Sequence, residues 1–84
     1  MRPVSVPTIN MIKTGKNICM LRQRSGISVR ELQGILGFGT PQAIYKWQRG
    51  TALPSLDNLV ILAAVLGVTA DQILVTDPAR EVSA

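Results

Sequence analysis

With 84 residues and 46% hydrophobic side chains, the chain has apolar mass for one small core and too little length for a second domain. A single cysteine, Cys19, and no histidine exclude an internal disulfide and a structural zinc site, and the longest apolar run, Leu59 to Leu66, is far shorter than the ~20 residues of a membrane span. The net charge of +4 is unevenly held: residues 1–50 carry eight Lys or Arg against Glu31 alone, whereas residues 51–84 carry Arg80 against Asp57, Asp71, Asp77 and Glu81. A polyanion would meet the first half only, although a basic solvated face has the same composition.

Residues 1–7, with two prolines and no periodicity, read as a flexible arm. A first helix is expected from about Thr8 to Ser25, with Met11, Gly15, Ile18, Leu21 and Arg22 on one face. Gly15 within it points to close approach of a neighbouring helix, and Gly26 ends it. Cys19 lies in this pattern as a small buried hydrophobe. Ser28 to Glu31 form a capping box, stapled by Ile27 and Leu32, that opens a second helix from Val29 to Leu36. Leu32, Ile35 and Leu36 supply its buried stripe, and Gly37 stops it.

Phe38 then sits between two glycines, tucked inward as the pivot of a turn. Thr40 and Pro41 read as N-cap and first position of a third helix running to about Arg49. Ile44 and Trp47 face the core there, with Ala43 against the second helix; Gln42, Tyr45, Lys46 and Arg49 point outward. After a loop from Thr51 to Pro54, Ser55 caps a fourth helix, Leu56 to Leu66, that is apolar on nearly every side and is therefore central or shared with a partner. Thr69 and Gln72 box a short fifth helix through about Val75, and residues 76–84 read as a frayed tail. The expected architecture is all-α, a compact five-helix domain over residues 8–75.

Two short helices joined by a glycine turn, the second with exposed polar side chains, make a helix-turn-helix. Gly15, Ile18, Leu21-Arg22, Gly26-Ile27-Ser28, Glu31-Leu32, Leu36-Gly37, Ile44, Lys46-Trp47, Arg49-Gly50, Leu53-Pro54-Ser55-Leu56, Leu59, Leu66-Gly67-Val68 and Ile73-Leu74 follow one another in the order of a known pattern. Over residues 14–75 the chain resembles the lambda-repressor/Cro-like (XRE-type) helix-turn-helix family of transcriptional regulators. It departs from that pattern at Gln33, where the family has alanine, in a turn one residue longer at Phe38-Gly39-Thr40, and at Gln48, where the family has a glutamate that pairs with the arginine at Arg22.

The resemblance implies base contacts from Gln42 and Lys46, with Thr40 and Pro41 at the leading end and Tyr45 beside them. Gln42 suits adenine and Lys46 guanine. Lys13, Lys16, Arg24, Arg30 and Arg49 are phosphate candidates, Arg30 replacing a contact that Val29 does not supply. Double-stranded DNA is thus the expected partner, and the expected role a cytoplasmic regulator, in particular a repressor, acting as a homodimer. The excess apolar surface of the fourth and fifth helices assigns Ile61, Val65, Leu74 and Val75 to the dimer contact. An antitoxin or adaptor working through another protein is the rival reading. No histidine, acidic pair or phosphate-cradling loop supports an enzyme, and no cofactor, metal, small-molecule substrate or membrane role is expected.

Overall fold

The computed structural model describes residues 2–83. Its elements are β1 (Pro3–Ile9), α1 (Met11–Arg24), α2 (Val29–Leu36), α3 (Gln42–Arg49), α4 (Leu56–Leu66), α5 (Ala70–Ile73) and β2 (Thr76–Ser83). The core is built from one or two faces of each helix: Ile18 and Leu21 of α1, Leu32 of α2, Ile44 and Trp47 of α3, Leu59, Leu62 and Leu66 of α4, and Ile73 of α5.

The five expected helices are all present. α2 and α4 keep their expected bounds and caps: Ser28 and Glu31 close both halves of the capping box, and Ser55 accepts from the Asn58 amide at 3.2 Å. α1 begins later than Thr8, because the Asn10 side chain accepts from the Lys13 amide at 2.8 Å and caps the helix there. Ile35, expected in the buried stripe of α2, is 52% exposed. A helix of eight residues covers only a narrow seam of core, and Leu32 with half-buried Leu36 fills it.

Gly15 does mark a close approach. A Cβ built there would collide with the Trp47 carbonyl oxygen and lie 2.7 Å from that of Gln48, so α1 and α3 touch backbone to backbone. Gly50, in the left-handed conformation at φ 76°, meets α1 in the same way, its missing Cβ lying 2.7 Å from the Ile12 Cα. These two glycines let α3 sit flush on α1, the longest helix of the fold.

The molecule is not purely helical. The segment expected to be a flexible arm and the one expected to be a frayed tail pair with each other as a two-stranded antiparallel sheet; Met1 and Ala84, the outer ends of those expectations, lie outside the described residues. Three side chains at helical spacing on α1 direct this. Asn17 donates to the Gln72 and Ile73 carbonyls, both at 2.9 Å, and closes the end of α5. The buried Thr14 hydroxyl accepts from the Val75 amide at 2.9 Å and donates to its carbonyl. Asn10 donates from its backbone to the Val75 carbonyl and from its side chain to Asp77 Oδ1, both at 2.8 Å. Leu74 is extended, α5 ends at Ile73, two residues short of its expected end, and the chain is aimed back along β1.

Candidate nucleic-acid interface

α2 and α3 are joined by a turn that Gln33 organises from both its backbone and its side chain. Its carbonyl accepts from the Phe38 amide at 3.0 Å, and its side-chain amide donates to the Phe38 carbonyl at 3.2 Å. Gln33 therefore braces the longer turn. At Gly34, beside it, a Cβ would meet nothing within 4 Å, so the two helices are not in tight contact there. Phe38 is held edge-on against Trp47, ring centres 5.8 Å apart and planes at 67°, which fixes the approach of α3 from inside.

Burial of Ile44 and Trp47 on one side of α3 leaves Gln42, Tyr45, Lys46 and Arg49 exposed on the other. The leading end differs from expectation. Pro41 occupies the N-cap position and no side chain caps the helix, so Thr40 is an exposed residue of the preceding bend. The reason is the extra turn residue: Pro41 sits at ψ 6°, outside the extended geometry of a capping residue, and the Thr40 hydroxyl has no helical amide to accept from. The first amides of α3 are consequently open to an outside acceptor, and the helix dipole favours an anion there.

An open groove of about 470 Å³ runs along this end of α3. Thr40, Gln42 and Lys46 line it with Gly37, Phe38, Gly39, Ala43, Trp47 and Ala52. The structure thus gathers three of the five expected base-contact residues in one place. Tyr45 shares the exposed face of α3 but does not line the groove, and half-buried Pro41 is part of the bend. Phe38 and Ala52 are groove residues that sequence reasoning placed in the core or left in a loop. No periodic signal marks a loop residue as a wall.

The expected phosphate contacts are all exposed: Lys13 and Lys16 on α1, Arg24 at its end, Arg30 in the first turn of α2 and Arg49 in the last turn of α3. Arg22 is engaged internally, donating from Nε to Gln48 Oε1 at 3.0 Å and from Nη1 to the Ile27 carbonyl at 2.9 Å. The amide at Gln48 thus keeps the α1–α3 link without a carboxylate. Cys19 is half-buried rather than buried, its sulfur 3.8 Å from Nη2 of Arg22.

The surface expected to bind a second copy is arranged differently. Ile61, Val65, Leu74 and Val75 are all half-buried, and Val65 and Leu74 pack on the chain's own core. On α4 and in the loop before it, the exposed large apolar side chains are Leu53, Leu56 at 81% and Val60 at 66%. An all-apolar helix does not say which of its sides is covered, and the core covers the side of α4 where Val65 lies.

A short helix joined to α2 by a turn and seated on α1, with an uncapped head, exposed Gln42 in its first turn and Lys46 and Arg49 in its last, is the arrangement of a major-groove DNA reader, and the comparisons with known proteins agree. The helix-turn-helix family model matches residues 20–73. The chain belongs to that family, and it is a DNA-binding transcription regulator of the XRE type. Among solved structures it is similar to the restriction-modification controller protein C.AhdI from Aeromonas hydrophila, at 25% identity and a TM-score of 0.66, covering 75% of this chain and 94% of that one. It has the fold of the clp gene regulator ClgR from C. glutamicum, at 21% identity and a TM-score of 0.64, covering 75% of this chain and 80% of that one. No curated protein sequence matches. Among the described residues no helix is long and apolar enough to cross a membrane.

Proposed function

We propose that the chain is a cytoplasmic, sequence-specific repressor that reads an inverted-repeat operator as a homodimer. The observation carrying this reading is the groove at the head of α3, where Gln42 and Lys46 stand exposed beside uncapped helical amides. A glutamine offers the donor–acceptor pair that matches the major-groove edge of adenine, and a lysine donates to the O6 and N7 acceptors of guanine. The amides and Arg30 take phosphates and fix the register, while Lys13, Lys16, Arg24 and Arg49 add sequence-independent attraction.

The homodimer rests on Leu53, Leu56 and Val60. Leu56 and Val60 are the most exposed of the large apolar side chains among the described residues, and a two-fold contact along α4 would cover the same stripe on both copies. Major-groove faces recur every ~34 Å along one side of a duplex, so two linked copies read two half-sites. The same stripe is what an adaptor would use to bind a different protein.

The test is a binding titration against random-sequence duplex at two salt concentrations, followed by selection of the bound sequences. Steep salt dependence and an enriched inverted repeat are expected. Weak binding with no enriched motif at low salt contradicts the operator-reading role and leaves the adaptor reading.

A further inference from the structure

The ribbon of β1 and β2 lies outside the region matched by the family model, and neither the helix-turn-helix nor the α4 stripe accounts for it. A two-stranded ribbon alone is marginal in water. This one has an apolar face and a polar face: Val4 stands opposite Val82 and Val6 opposite Arg80, while Ser5 opposite Glu81 and Pro3 opposite Ser83 point the other way. None of the three valines joins the helical core, although Val4, Val6 and Val82 are each half-buried within the ribbon. Within the two strands Arg80 stands against Asp77 and Glu81, so the ribbon carries no net positive charge to draw it to phosphate.

Its two edges are unlike. Pro3 has no amide, so the pair Pro3 and Ser83 exchanges no backbone bonds, and by alternation Val4–Val82 and Val6–Arg80 are the bonded pairs. The backbones of Pro3, Ser5, Glu81 and Ser83 therefore face outward. On β1 that outer edge is blunted by Pro3 and by Pro7 at the register shift. On β2 the outer edge keeps both N–H and C=O at Glu81 and Ser83.

We propose that the free edge of β2 pairs with β2 of a second copy, joining two ribbons into a four-stranded antiparallel sheet. Charge selects the register. Setting Glu81 against its own copy opposes two carboxylates, and setting Arg80 against its own copy opposes two guanidinium groups; both are unfavourable. Pairing Glu81 with Ser83 of the second copy avoids both and centres the two-fold axis on Val82. That register runs Val4, Val82, Val82 and Val4 in one row across the sheet, widening the ribbon's apolar face and giving it the strand number it lacks alone. The contact uses none of the α4 stripe. Pairing over so few residues buries well below the ~800 Å² per partner of a stable complex, so it adds a weak second link between copies.

The test is cross-linking of the full chain carrying Cys19→Ser and Val82→Cys. In a non-bonded antiparallel pair the Cα atoms lie about 4.5 Å apart, inside the ~4.4–6.8 Å span of a disulfide. Val82→Cys should give a covalent dimer under mild oxidation several-fold faster than Gln23→Cys, an exposed position on α1. Adding Glu81→Pro, which removes an outward amide while leaving the chain's own ladder, should abolish that advantage with the helical circular dichroism unchanged. Cross-linking no faster at Val82 than at Gln23, or a rate indifferent to Glu81→Pro, overturns the proposal.

Discussion

Among the described residues Thr14 is the one fully buried polar side chain, and its hydroxyl both donates to and accepts from Val75. Thr14→Val preserves shape while leaving the Val75 amide and carbonyl without that partner, so the loss should approach the ~1–3 kcal/mol of an orphaned buried group. Gly15→Ala acts at the next residue of the same turn, forcing a Cβ onto the Trp47 and Gln48 carbonyls. Backbone oxygens cannot swing aside as a side chain can, so α1 must lift off α3 at a cost of about 1–3 kcal/mol. Thermal unfolding reads both, at roughly 4–8 °C per kcal/mol for a domain of this size. A Gly15→Ala chain as stable as the parent would contradict the backbone contact between α1 and α3. Gly15 was legible in the sequence because a helix-weakening residue inside a strong pattern needs a packing reason. Thr14 was not: one threonine among Lys13, Gly15 and Lys16 gives no sign that it faces Val75, sixty-one residues away.

At the scale of elements, local signals carried α2 and α4, whose caps and glycine stops lie within a few residues of the helices they bound. They misplaced the head of α3 by one residue, since Thr40-Pro41 fits the cap-and-proline pattern and only the lengthened turn held by Gln33 displaces it. They missed β1 and β2 because strand pairing between the two ends of a chain has no local signature, and because Pro3, Pro7 and Pro78 argue against strands to anyone reading along the sequence. The polar face of α3 was readable; the groove beside it needs Phe38 and Ala52 from two separate loops. For α4 the composition gave the excess of apolar surface but not its side. Leu56→Glu together with Val60→Glu should shift the chain toward monomer in sedimentation and leave its melting temperature nearly unchanged, because both side chains are exposed in the single copy. The same pair at Ile61 and Val65 should instead destabilise the fold, since both are half-buried against the chain itself.

For the whole molecule, the division of charge matters more than its total. α1 to α3 carry most of the cations, whereas Asp57 and Asp71 lie on α4 and α5 and the ribbon holds Asp77 and Glu81 against Arg80. DNA binding should therefore be strongly salt dependent, each neutralised phosphate contributing about −0.9 to the log–log slope. Replacing Arg30 by alanine should weaken binding to all sequences alike and flatten the slope by about one unit. The central claim, that α3 reads bases through Gln42 and Lys46, is tested most directly by repeating the sequence selection with Gln42→Ala, Lys46→Ala and Arg30→Ala. The account predicts that each of the first two relaxes preference at its own base pair, at a cost of about 1–3 kcal/mol, while Arg30→Ala preserves the selected motif. A motif unchanged by Gln42→Ala and Lys46→Ala would contradict it.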